Sequence, residues 1–168
     1  GDNRVLVATS SGKAILFEEV DIRPMGRTAT GVRGIALGDS DEVIGMEVIH
    51  PDSTVLTVTE NGYGKRTRID DYRVQRRGGQ GIINIKTTAR NGPVVGVTQV
   101  VDGDDVMLIT DAGKVLRCSV DGISTMGRAT QGVRVMNLSS EESLVTVARL
   151  AEGDAAPEGD GEEGESSS

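Results

Sequence analysis

The sequence predicts an all-β, propeller-like array of about three four-stranded blades, arranged as an open arc or partial disc. Three observations predict it. Short runs rich in Val, Ile and Thr alternate with turn residues, which is the pattern of strands on a pleated sheet. No segment sustains the 3.6-residue apolar period of a helix. The chain also repeats itself at a fixed spacing, the mark of a repeat architecture.

The repeat sets the order of the elements. VLVATSSGKAILFEEV from Val5, TVLTVTENGYGKRTRI from Thr54 and DVMLITDAGKVLRCSV from Asp105 each read as apolar strand, Gly-containing turn and second strand. The turn glycines Gly12, Gly62 and Gly113 lie 50 and 51 positions apart, and so do Gly31, Gly81 and Gly132. In the first unit the strands fall at about 5–9, 14–18, 32–37 and 43–49, and the other units repeat the set. Asn61-Gly62, Asn91-Gly92 and Asp102-Gly103 offer the positive φ that tight turns between strands need. Units of about 50 residues with four strands are blade-like, and closed propellers use about four to eight of them. Three units therefore predict an open arc or part of a longer array, with repeats at about 4–50, 54–101 and 104–150.

Charge divides the chain at residue 150. Residues 1–150 hold all 18 Lys and Arg against 19 of the 26 Asp and Glu, so the body is close to neutral. Residues 151–168 hold the other seven acids and no base, in a Gly, Glu and Ser-rich stretch with too little apolar surface to offset its ordering entropy. That tail is expected to be disordered. With one Phe, two Tyr and no Trp, the chain lacks the aromatic platforms on which single strands stack. Binding of nucleic acid would have to rest on charge.

Several classes of site are not expected. The single Cys118 reads as a strand residue in a reducing compartment, and His50, ahead of Pro51, reads as structural. Asp111 and Asp121 read as turn caps, since no EF-hand spacing accompanies them. Met25, Met46, Met107 and Met126 read as core fillers. No nucleophile elbow, phosphate loop, zinc pattern or paired carboxylate with a base is present. No catalytic residue, cofactor or metal is therefore expected. No run is long and apolar enough for a membrane helix and the start does not read as a signal peptide, so a cytoplasmic location with no membrane partner is the expectation.

The segment most suited to a ligand is the loop between the second and third strands of each unit. It reads Gly26-Arg27-Thr28-Ala29-Thr30-Gly31 in the first unit, Gln75-Arg76-Arg77-Gly78-Gly79-Gln80-Gly81 in the second and Gly127-Arg128-Ala129-Thr130-Gln131-Gly132 in the third. Glycine lets a backbone approach a surface closely, and guanidinium groups match phosphate oxygens. The middle unit is the most basic, with Lys65, Arg66, Arg68, Arg73, Arg76, Arg77, Lys86 and Arg90 against Glu60, Asp70 and Asp71. That is an electrostatic footprint for a polyanion. Equivalent loops of a repeat array emerge on one edge, so Arg27, Arg77 and Arg128 are expected to form a row.

QRRGGQG, preceded by ENGYGKRTRIDDYRV and followed by INIKTTARNGPVVGV, resembles the box-containing repeat of the C-terminal DNA-wrapping domain of DNA gyrase A subunits. GRATQGVRVMNL resembles the last repeat of that domain, and the similarity spans nearly all of residues 5–150. The resemblance implies a β-pinwheel, a disc whose blades exchange strands and whose basic rim carries duplex DNA. It implies binding and wrapping without strong sequence preference, in support of ATP-dependent negative supercoiling by the gyrase holoenzyme, in the cytoplasm on the nucleoid. The implied protein partners are the remaining parts of the gyrase A subunits together with the gyrase B subunits. The resemblance also implies that residues 75–81 are the box or a copy of it, with Arg27 and Arg128 equivalent to its arginines and Lys65, Arg66, Arg68, Arg73, Lys86 and Arg90 in support. The family domain has about six blades with its best box in the first, so three units with the best match in the second imply the C-terminal half of such a domain. A topoisomerase IV-type C-terminal domain and a propeller-like protein-interaction module stay open as alternatives.

Overall fold

The computed structural model describes residues 3–19, 37–38, 41–76 and 78–150. Eleven strands are present among them: β1 (Arg4–Thr9), β2 (Lys13–Glu18), β3 (Val43–Val48), β4 (Thr54–Thr59), β5 (Tyr63–Arg68), β6 (Ile82–Ile83), β7 (Val94–Val100), β8 (Asp105–Thr110), β9 (Val115–Ser119), β10 (Val133–Arg134) and β11 (Leu144–Leu150). Single 3-10 turns, Ile69–Asp71 and Val120–Gly122, follow β5 and β9.

Each unit opens on the same hairpin, and a threonine fixes its turn. The N–H of Gly12, Gly62 and Gly113 donates to the carbonyl of Thr9, Thr59 and Thr110 at 3.1, 3.1 and 3.0 Å. The hydroxyl of that threonine then accepts the N–H of the next residue, Lys13, Tyr63 or Lys114, at 3.2, 3.3 and 3.1 Å. A short side chain thus satisfies the donor that the turn leaves over.

The strands form three antiparallel sheets, ordered β3-β1-β2-β6, β10-β5-β4-β7 and β11-β8-β9. The expected four strands per unit are therefore distributed differently. The third strand of a unit is only two residues long and joins the sheet of the unit before it: Ile82 and Ile83 pair with Ala14 and Lys13, and Val133 and Arg134 pair with Gly64 and Tyr63. The cause lies at the turn glycines. Gly12 O accepts from the N–H groups of Asn84 and Ile85 at 2.7 and 3.2 Å, and Gly62 O accepts from Val135 and Met136 at 2.8 and 3.2 Å. A Cβ on Gly12 would sit 2.3 Å from Ile85 O and one on Gly62 2.5 Å from Met136 O, whereas Gly113 has open space around it. Among the described residues the third sheet receives no such strand, and Val115 and Leu116 on its outer β9 are exposed. The three sheets form an unclosed arc.

Packing between sheets explains the continuous apolar runs of β1, β2 and β4. Alternate residues point to opposite faces, and both faces are covered. Val55 of β4 joins Leu6, Ala8, Leu16, Val94 and Val97 in a core shared with the first sheet, while its neighbours Leu56 and Val58 join Val106, Leu108, Val120 and Leu144 in a core shared with the third. Val5, Val7, Ile15 and Phe17 cluster on the other face of the first sheet. Buried Gln99 ties the first sheet to the second, accepting from His50 N–H and Ser53 Oγ and donating to Val48 O.

Some details depart from expectation. Met46 is 66% exposed and fills no core, because its alternation on β3 turns it outward. Met107 and Met126 are half-buried, and Met25 lies outside the described residues. Cys118 is a strand residue, on β9, and its thiol is pushed up in pKa by burial and by the Asp105 carboxylate. Asp111 and Asp121 do cap turns, accepting the N–H of Ser143 and Gly103. The tail, residues 151–168, lies outside the described residues, as does the segment 32–36 of the third strand expected in the first unit.

Candidate nucleic-acid interface

The basic loops of the second and third units are each pinned to the sheet of the unit before by the same backbone device. Val74 forms a parallel bridge with Leu16, and Gln75 N–H donates to Leu16 O at 2.7 Å. One period later Thr125 forms that bridge with Arg66, and Met126 N–H donates to Arg66 O at 2.8 Å. The loops ending at Gly81 and Gly132 therefore leave equivalent strands, β2 and β5, at equivalent points. Both glycines have φ of 77°. A Cβ on Gly132 would approach Gly64 O to 2.8 Å, so the loop's return lies flat on β5.

These loops also touch along one continuous edge. Thr87 Oγ1 of the second unit donates to Ser11 O of the first at 3.0 Å. Lys86 N–H of the second unit donates to Thr130 O of the third at 2.8 Å, and Asn91 Nδ2 donates to Gln131 O at 3.0 Å. Turn, strand-end and loop of successive units thus form one seam.

The cations expected to meet DNA separate into two groups. Arg68, Arg73, Arg76, Lys86 and Arg90 are exposed, and none is in an ion pair among the described residues. Gln75 and Gly78 are half-buried, Gly79 and Gln80 are exposed and Gly81 is half-buried. Arg27 and Arg77 lie outside the described residues, so the structure does not give the expected row of Arg27, Arg77 and Arg128.

Lys65, Arg66 and Arg128 do something else. Lys65 is fully buried, and its Nζ donates to Gly127 O, Arg128 O and Thr130 Oγ1 at 2.7, 2.8 and 3.1 Å. Burial, with the Arg128 charge beside it, draws its pKa down to about 8 against the opposing pull of Asp71. Arg66 is 6% exposed and donates to Thr54 Oγ1, Val120 O and Asp102 Oδ1. Arg128, half-buried, donates through Nε to Asp71 O and through Nη1 to Ile83 O, both at 2.7 Å. All three side chains bind one unit to the next. The reason is chemical: an exchanged strand leaves loop carbonyls between sheets, and a long cationic side chain on the receiving strand can satisfy several of them at once.

A cation outside the basic run and the box joins the exposed group. Arg134 on β10 pairs with Tyr63 at the start of β5, and its Nη2 donates to the Tyr63 hydroxyl at 3.1 Å. Arg90 Nε donates to the same hydroxyl at 3.0 Å. The guanidinium carbons lie 5.0 and 5.5 Å from the ring centroid, so both arginines also make cation–π contacts. Sequence reasoning missed Arg134, although one signal was available: Tyr63 stands where the other units have Lys13 and Lys114.

Comparison with known proteins agrees with this architecture. Residues 3–50, 53–100 and 104–151 match the family described as DNA gyrase C-terminal domain, beta-propeller. The chain is 48% identical over 165 residues to the DNA gyrase A subunit of Staphylococcus aureus (strain MRSA252), covering 97% of this chain and 18% of that protein. It is 49% identical over 154 residues to the same protein of strain NCTC 8325 / PS 47, covering 90% of this chain and 17% of that one. It thus spans less than a fifth of these relatives. Its fold is similar to a solved DNA gyrase A C-terminal domain, with a TM-score of 0.81 and 29% identity over 89% of this chain and 51% of that one. The C-terminal domain of DNA topoisomerase IV shares the fold, with a TM-score of 0.84 at 22% identity over 92% of this chain and 48% of that one. Three repeated hairpins, short strands passed back to the preceding sheet and a match in each repeat agree: the chain belongs to the DNA gyrase C-terminal domain, beta-propeller family.

Proposed function

We propose that this chain binds and bends duplex DNA without strong sequence preference, as the C-terminal region of a DNA gyrase A subunit. In that role it is a non-catalytic part of a type II topoisomerase. It supports ATP-dependent negative supercoiling by a holoenzyme built from complete gyrase A and B subunits. The observation that carries the reading is the set Arg68, Arg73, Arg76, Lys86 and Arg90, exposed and without acidic partners among the described residues. Five unneutralised cations within one unit of a protein of net charge −8 favour a local polyanion site. Phosphate contacts position a duplex without reading its bases. Because equivalent loops recur along an arc, a duplex following them has to bend.

Lys65, Arg66 and Arg128 are left out of the contact we propose, since Lys65 and Arg66 are buried and half-buried Arg128 is held by two backbone carbonyls of the preceding unit. Arg76 and Arg77 remain its centre. A gel-shift titration against salt tests this reading: the parent should lose affinity steeply as salt rises, and Arg76→Ala with Arg77→Ala should weaken binding and flatten that dependence by about 2 in the log–log slope, at about 0.9 per phosphate contact. A double variant that binds like the parent removes the box from the interface.

A further inference from the structure

We propose that Arg90 and Arg134, gathered on Tyr63, form a second phosphate-binding site for duplex DNA where the exchanged strand of the third unit joins the second sheet. The inference rests on the duplex-binding reading above and adds to it a site outside the box.

The three residues come from three different places. Tyr63 begins β5, Arg134 lies on the exchanged β10 and Arg90 lies in the loop before β7. The hydroxyl of one nearly buried ring accepts from both arginines, and both guanidinium groups lean on that ring. The phenol is thereby held below its usual pKa, chiefly by the Arg90 hydrogen bond.

Two like charges held at one oxygen repel each other, and among the described residues no carboxylate is paired with either. Each guanidinium has five N–H donors in a planar fork and gives only one to Tyr63. Both arginines are exposed residues. This arrangement lowers the rotamer freedom of two long side chains in advance while leaving their fork edges open, which suits a bound phosphodiester.

The repeat supplies an independent argument. At this register position the first sheet carries Lys13, which has no ion pair among the described residues, and the third carries Lys114, which is paired with Glu142 at 3.3 Å. The second sheet carries a neutral tyrosine and recruits two arginines from outside the strand. Positive charge without an acidic partner therefore recurs at the same point of the first two hairpins, as a duplex crossing from one unit to the next requires.

The test measures the full 168-residue chain against a labelled duplex of mixed sequence, from low to moderate salt. Arg90→Ala with Arg134→Ala should weaken binding about tenfold or more at moderate salt and reduce the log–log salt slope by about 1–2. Arg90→Lys with Arg134→Lys should keep most of the slope. Tyr63→Phe keeps the ring and removes the acceptor, so it should weaken binding while leaving the slope near the parent's. If the alanine pair lowers the thermal midpoint, Arg90→Gln with Arg134→Gln, which retains donors for Tyr63 and removes the charge, is read in its place with the same expected slope. Parental affinity and slope in a folded charge-removing pair, alongside a weakened Arg76→Ala, Arg77→Ala variant, overturns the second site and leaves the duplex reading standing. A parent chain that does not bind duplex overturns both.

Discussion

Lys65 illustrates how position redirects a charged side chain. In the sequence it belongs to a basic run with Arg66 and Arg68, yet only Arg68 is exposed. The ammonium of Lys65 meets three acceptors of the following unit's loop. Lys65→Met should destabilise the fold by about 1–3 kcal/mol, because three hydrogen bonds that tie the second unit to the loop of the third are lost, and a urea midpoint measures it. The same residue sets a pH dependence. Its folded pKa is about 8 against a usual 10.5, so between those values the unfolded chain holds a proton that the folded chain has shed. Stability contributed by this group is therefore present above pH 10.5 and is lost as pH falls through 8. The difference in midpoint between the parent and Lys65→Met, followed across that window, should change with this sign.

At the scale of the element, the exchanged strands β6 and β10 are too short to hold a sheet position alone. Each has two ladder residues and is anchored by the turn glycine it crosses and by polar contacts behind it. Buried Asn84 accepts from the Tyr72 hydroxyl and donates to Thr57 Oγ1, so the segment after β6 is locked to both the 3-10 turn and β4. The same turn is used with and without a crossing strand, which separates backbone strain from close contact. Gly62 and Gly113 have φ of 88° and 86°, but only Gly62 has a backbone atom in the way of a Cβ. Gly113→Ala should cost about 1 kcal/mol for its conformation alone, and Gly62→Ala should cost clearly more, since Met136 and the exchanged segment must also shift. Denaturant midpoints of the two variants compare them directly. Equal losses would mean that β10 adds little to the second sheet.

For the whole molecule, the three sheets stack so that the central strand β4 is buried on both faces. Residues 1–150 are close to neutral, and residues 151–168 add seven acids. We expect removal of residues 151–168 to tighten duplex binding at low salt, because the tail competes with phosphate for exposed cations, and to have less effect at high salt, where both interactions are screened. Binding curves of the parent and the shortened chain at two salt concentrations check this. Equal affinity at low salt would mean that the tail does not reach the seam.

Much of this architecture is legible in the sequence by itself. Short Val, Ile and Thr-rich runs, the Thr-x-x-Gly turns and the spacing of the glycines determine an all-β repeat with its hairpins in place, because strand pairing across a tight turn depends on residues close in sequence. The box loop and its exposed Arg76 are legible for the same local reason. Which sheet each third strand enters is not, since Ile82 and Val133 carry no mark of their partner and the choice is made by carbonyls of a glycine some 70 positions earlier. That choice decided the rest of the site. It buried Lys65 and Arg66 between units, spent Arg128 on backbone carbonyls, and brought Arg134 to Tyr63 and Arg90, so the tertiary structure alone determined which cations face water.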